Sequence, residues 1–179
     1  MKKVIFGFLI LGMIGTSCKD EKKEKGTGDS APAVAVNIPF TVSLRAIVEK
    51  DDNFAVYYNE EGKDDYKPED VVIVTIKGSP NPQNLLFKME EGIAPTNLRF
   101  DMGANTEQKS VKIESFSVIN GSKSFTADGK DFTTYFSPNT QVNFDAATGT
   151  ANFVSDGKSH TPIFLATPNL QAEIVKLYN

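Results

Sequence analysis

From Phe40 onward apolar residues return at every second position, and that period decides what this chain can become. Phe40, Val42, Leu44, Ala46 and Val48 alternate with Thr41, Ser43 and Arg45. Successive side chains of a strand point to opposite faces, so the pattern predicts a strand with one buried face. Residues 54–58 give a second strand after the Asp51-Asp52-Asn53 turn. Val71–Ile76 is almost wholly β-branched, which predicts a central strand covered on both faces and stopped by Gly78-Ser79-Pro80-Asn81-Pro82. Strands over 85–89, 98–102 and 111–119 follow. In the last of these the apolar set changes phase between Ile113 and Phe116, as a β-bulge at Glu114 or Ser115 would require.

The second half keeps the rhythm. Asn120-Gly121 before 124–126, the stretch 146–149 before 150–154, and Asp156-Gly157 before 163–165 read as hairpin turns. Residues 130–136 have room for one or two helical turns. A last helix is expected over 168–178, with Thr167 as N-cap, Pro168 at the first helical position, and Leu170, Ile174 and Leu177 on one face. Short strands with turns about every 8–12 residues predict an all-β fold, a two-sheet antiparallel β-sandwich or jelly roll with a short C-terminal helix. An open barrel is the alternative.

Upstream of this domain the reading changes. Lys2 and Lys3, an apolar run of about 11 residues, and Gly15-Thr16-Ser17 precede Cys18, the single cysteine of the chain. The run is well short of the roughly 20 residues that span a bilayer. Residues 1–17 therefore read as a lipoprotein signal peptide, with Cys18 as the lipid attachment site carrying acyl chains such as palmitate. Gly15 departs from the aliphatic residue usual at its place in a lipobox. Residues 18–36, charged and then small, read as the lipidated end and a flexible tether, and residues 37–179 as one domain. With Cys18 acylated no thiol is left for a disulfide, so packing alone must hold the fold. The whole chain carries −4, and losing Lys2 and Lys3 with the leader makes the remainder −6. Phosphate recognition needs clustered Lys and Arg, so nucleic acid is not an expected partner.

Cys18 followed by Lys19, Asp20 and Glu21 resembles the surface-export signal of lipoproteins from the Bacteroidetes. The resemblance implies an outer-membrane protein held by its acylated cysteine, facing the cell exterior. Within the domain, Leu98, Arg99, Asp101 and Gly103, followed by Val111, Ile113 and Ser115, resemble a pair of strands in carbohydrate-associated β-sandwich modules of the galactose-binding-like or jelly-roll kind. The stretch 135–150 has the same look. That likeness implies a β-sandwich, and a glycan as ligand.

No catalytic signature is present: no Gly-x-Ser-x-Gly elbow, no His-Glu-x-x-His pair and no phosphate-cradling glycine loop. His160 is the single histidine and is expected to be solvated beside a Gly157-Lys158-Ser159 turn. Glycoside hydrolysis needs two opposed acids. Glu90 and Glu91 are adjacent, and Asp101 has no identifiable partner in the sequence. Asp51, Asp52 and Asn53, or Asp64 and Asp65, are candidate places for a structural calcium ion, without EF-hand spacing. Sugar binding on a surface platform needs exposed aromatic rings beside polar side chains, and tryptophan is absent. The candidates are Tyr57, Tyr58 and Tyr66, with Tyr135 further off. Of the adjacent pair Tyr57 and Tyr58, one must face outward if the other faces in. Arg99 and Asp101 share a strand face and either pair with each other or meet ligand hydroxyls. The leading expectation is a non-catalytic module that binds polysaccharide at the cell surface. The alternatives are a structural or adhesin-like lipoprotein that binds an outer-membrane partner protein, and an unrecognised glycan hydrolase.

Overall fold

The computed structural model describes residues 38–154, 157 and 159–179. The leader, Cys18, Lys19-Asp20-Glu21 and the tether lie outside the described residues, as do Asp156 and Lys158 of the later turns. Residues Val36–Asn179 form one compact unit.

Alternation becomes strand where the spacing predicts it. β1 (Thr41–Val48) buries Val42, Leu44, Ala46 and Val48 and exposes Arg45. It lies antiparallel between β4 (Gln83–Lys88) and β6 (Ser110–Asn120). The first sheet runs β4-β1-β6-β10-β9, with β10 at Thr150–Phe153 and β9 at Val142–Asp145. β7 (Lys123–Asp128) pairs with the second half of β6 across the Asn120-Gly121 turn. The second sheet runs β3-β2-β5-β11-β8: Val71–Ile76, Asp52–Asn59, Asn97–Asp101, Ile163–Ala166 and Phe136–Pro138. Every pairing is antiparallel. The architecture is the expected all-β sandwich, with a helix α2 (Pro168–Lys176) at its C-terminal end.

The bulge falls where the phase change requires it. Arg45 faces Ser115 and Ala46 faces Ile113, so Glu114 is the extra residue on β6. Before it β6 pairs with β10 through Ser110–Lys112; after it β6 pairs with β7. The extra residue therefore lets Val111, Ile113, Phe116 and Val118 all face the core.

Phenylalanine fills that core. Phe40, Phe54, Phe87, Phe100, Phe116, Phe132, Phe136 and Phe164 are all buried. Phe132 and Phe136 come from α1 (Phe132–Tyr135) and the strand after it, and stack at 4.7 Å. Phe100, Phe116 and Phe164 meet Phe132 edge-on at 6.4, 5.4 and 5.1 Å. Edge-to-face rings gain beyond simple burial, about 0.5–1.5 kcal/mol per pair. The whole core cluster lies between Phe40 and Leu177, so this unit carries its own core.

Three expectations are corrected. β3 is not central: it is the outermost strand of its sheet, with Ile73 61% exposed. β-branched residues satisfy an edge as well as a centre, so composition alone does not separate the two. Thr167 stands at the N-cap position but makes no capping hydrogen bond; its hydroxyl donates to the Thr134 carbonyl at 2.8 Å and ties α2 to α1. The last expected hairpin does not form: β10 belongs to the first sheet and β11 to the second, so the chain crosses between sheets there.

Candidate functional site

The outer face of the second sheet gathers residues from separate stretches of chain. Along β2, Phe54, Val56 and Tyr58 turn toward the core, which sends Tyr57 outward. Tyr57 lies opposite Arg99 of β5 on one side and Val71 of β3 on the other. Two residues along β5, Asp101 shares the face of Arg99. The Arg99 Nε and Nη2 groups each donate to Asp101, at 2.8 Å and 2.8 Å. Of the two roles open to this pair, the geometry is the ion pair. Arg99 also lies over the Tyr57 ring at 4.0 Å and nears the Tyr66 ring at 5.7 Å. Both side chains of the pair are about a quarter exposed, at 24% and 27%. The hydrogen bonding of Arg99 to Asp101 is the main cause that holds the guanidinium more firmly charged than usual. The Nη1 group makes no hydrogen bond among the described residues, which leaves donors of the fork unused.

Tyr66 reaches this face from the long connection between β2 and β3. Asn59 donates to the carbonyls of Lys63 and Asp65 at 2.5 and 3.0 Å, and its own oxygen accepts from Gly62 at 3.0 Å. Buried Asn97 adds bonds to the Lys63 carbonyl and Asp64 Oδ1, at 2.9 and 3.1 Å. The loop is thereby laid back over the sheet. Asn97 is 0% exposed, although its position on β5 points it outward. The Tyr66 hydroxyl is buried beside Asp64 and Asn97. Burial, with Asp64 nearby, pushes its pKa far above the ordinary tyrosine value. Tyr66 is thus a wall of the site and not an open platform.

Tyr58 goes elsewhere. It packs on the core side and lines a separate cleft of about 180 Å³ with Asn59, Glu60, Asp65, Lys67 and Asp70. Burial first, and then Asp70, Glu90 and Glu60, raise its pKa. The sequence grouped Tyr57, Tyr58 and Tyr66; the structure brings Tyr57, Tyr66, Arg99 and Asp101 together and sets Tyr58 apart. Tyr135 packs on Phe125 and Phe116 at 4.9 and 5.5 Å, so it belongs to the core margin.

The acidic turn is taken up with backbone duties. Asp51 accepts from Lys77 Nζ at 2.5 Å and from the Gly78 N–H at 2.9 Å, and both bonds lower its pKa. Asp52 is buried, and its Oδ1 accepts N–H bonds from Asn53, Ala104 and Asn105 at 2.8, 2.7 and 3.0 Å. Asn53 accepts from the Thr75 hydroxyl at 2.6 Å. Among the described residues no group of three or more His, Cys, Asp or Glu side chains is placed to hold a metal. Glu90 and Glu91 are exposed beyond β4, as the sequence suggests for turn acids.

One cleft was not anticipated. His160 is half-buried, not solvated: its ring meets Phe153 edge-on at 5.7 Å, and its buried Nε2 makes no hydrogen bond among the described residues. The space beside it, about 500 Å³, is lined by Thr106, Gln108 and Lys109 from another loop. A single histidine in a turn carries no sequence signal that would have placed it there.

Comparison with protein-family models, with characterised proteins and with solved structures finds no significant match. The comparisons therefore leave the β-sandwich itself as what the structure establishes. Folds of this kind host many functions, so the site must carry the functional argument.

Proposed function

We propose that this chain is a non-catalytic binding module, lipid-anchored at Cys18 on the outer membrane and facing the exterior, whose ligands are glycans. The binding face is the outer surface of the five-stranded sheet around Tyr57, Arg99 and Asp101, with Tyr66 as a side wall. The observation that carries the reading is the convergence of an aromatic ring with a guanidinium and a carboxylate on the outer face of the second sheet. Sugars present apolar ring faces and rows of hydroxyls. An aromatic beside fixed donors and acceptors suits both. The Asp101 bond leaves Arg99 donors free and orients them, so little side-chain entropy remains to be lost on binding. No cofactor is required, and a structural calcium ion at Asp51, Asp52 and Asn53 is a separate question that a titration with the metal alone would answer.

A glycan array probed with residues 36–179 tests this reading. Parent protein should bind a definite glycan class. A Tyr57→Ala, Arg99→Gln double variant with an unchanged far-UV spectrum should lose that binding. No binding by the parent to any glycan, with or without calcium, would sink it. The second reading, a lipoprotein that binds another protein, is favoured by exposed Ile73 on the sheet edge.

A further inference from the structure

β3 pairs with β2 alone, in unbroken register from Asp52–Ile76 to Tyr57–Val71. Beyond that ladder, Val72, Ile73, Val74 and Thr75 make no backbone hydrogen bond among the described residues. The strand therefore presents open N–H and C=O groups, except that the Val71 N–H is taken by the Glu69 carbonyl at 3.0 Å. Natural edges are blunted by charge, proline, bulges or shortness. The neighbouring edges show such devices: β8 has three residues and ends on Pro138, β9 ends on Asp145, and β4 ends on Lys88. β3 reads VVIVTI, six β-branched residues with no charge, no proline and no bulge. A bare six-residue segment of this composition is an association hazard unless something covers it.

The flanks say what covers it. Glu69 and Asp70 precede the strand and Lys77 follows it. A parallel copy would set lysine against lysine and acids against acids. An antiparallel copy sets the acids of each chain beside Lys77 of the other, at both ends at once. Lys77 already meets Asp51, yet its side chain is 86% exposed, and an ammonium has three donors. A two-fold axis perpendicular to the sheet, midway between the two copies of Ile73, sets Ile73 against its own copy, Val71 against Thr75, and Val72 against Val74. The two five-stranded sheets then continue into one another. We propose that β3 is a self-association edge, and that the protein pairs through antiparallel β3–β3 addition of a second copy centred on Ile73.

Sedimentation equilibrium over a concentration series tests this on residues 36–179, which hold the entire core cluster. The parent should show a reversible monomer–dimer equilibrium. Ile73→Lys, at a position too exposed to disturb the core, should raise the dimer Kd by at least about tenfold with an unchanged far-UV spectrum. Lys77→Glu should weaken the dimer in the same direction. Adding Glu69→Lys and Asp70→Lys to that variant restores opposite charges and should recover it. This unit contains no native cysteine, so Ile73→Cys should give a disulfide-linked dimer on mild oxidation, while exposed Leu86→Cys on the other sheet should not. A parent that stays monomeric to millimolar concentration overturns the proposal. A dimer indifferent to Ile73→Lys, or cross-linked equally well through Leu86→Cys, overturns it too. Glycan binding is read separately, so neither result decides the other.

Discussion

Asp52 turns a carboxylate inward at the start of β2, where its Oδ1 gathers three backbone N–H groups and fixes the loop after β5. Its other oxygen is buried against Gly103, whose φ of +103° is a conformation L side chains rarely adopt. A Cβ at Gly103 would run into that carboxylate. Asp52→Ala should lower stability by about 2–4 kcal/mol, since a buried donor left unpaired costs ~1–3 kcal/mol, and three are released into partial exposure. Gly103→Ala should be destabilising as well, and urea midpoints check both. Tyr178 and Tyr66 make a pH-dependent contribution of their own. Burial raises Tyr178 to about 12 and Tyr66 further, while unfolded tyrosines ionise near 10. The folded state holds these protons more tightly than the unfolded chain. Their contribution is complete below pH ~10 and is lost as pH rises through the folded values. Denaturant midpoints should fall with pH above ~10. Tyr178→Phe, which keeps the ring against Phe40 at 6.2 Å, should make that decline shallower.

β6 owes its two pairings to backbone, not to a side-chain contact. Glu114 meets Arg45 at 2.9 Å, but both side chains are substantially exposed, so Glu114→Ala should cost under ~1 kcal/mol. Deleting Glu114 should cost much more, because one strand would then have to serve β10 and β7 without the bend between them. Gly129 belongs to the same device. The turn before α1 passes so close to the Ile113 carbonyl that a Cβ would overlap it, and Gly129→Ala should therefore destabilise far more than Glu114→Ala. Urea titration of the three variants ranks them. The bulge was legible because it leaves a mark in the alternation: Ile113 and Phe116 are both buried, three positions apart. β1 was legible for the simpler reason that one face is core and the other is not. β3 misled, since a run of β-branched residues reports strand but not how many neighbours the strand has. β8 and β9 were missed because three- and four-residue strands are too short to show a period.

Two sheets, a phenylalanine-rich interior and no disulfide make a molecule whose stability is concentrated in ring packing. Phe116 meets Phe132, Phe136, Phe125 and Tyr135, at 5.4, 5.4, 6.0 and 5.5 Å, and joins both sheets. Phe116→Ala should cost about 3–5 kcal/mol and lower the Tm accordingly, a loss that calorimetry can follow. At the same scale belong tests of the proposed anchor and the proposed export signal. Cys18→Ala should leave the protein unlipidated and soluble in the periplasm. Replacing Lys19, Asp20 and Glu21 by alanine should keep it anchored yet hidden from protease added to intact cells. The candidate site was only partly legible. Tyr57, Arg99 and Asp101 could be nominated from strand parity, but their union depends on β2 lying beside β5, a pairing across 40 residues that no local pattern encodes. Tyr66 reaches them through a loop held by Asn59 and Asn97, residue types that carry many meanings in sequence. One consequence is optical. The chain has five tyrosines and no tryptophan, so ultraviolet emission excited beyond the phenylalanine absorption band comes from tyrosine. Tyr57 lies under the Arg99 guanidinium and Tyr66 beside it, which puts two of those five emitters inside the candidate site. A ligand that settled against the Arg99–Tyr57 pair would change the protein's own fluorescence, and the site would report its occupancy without a label.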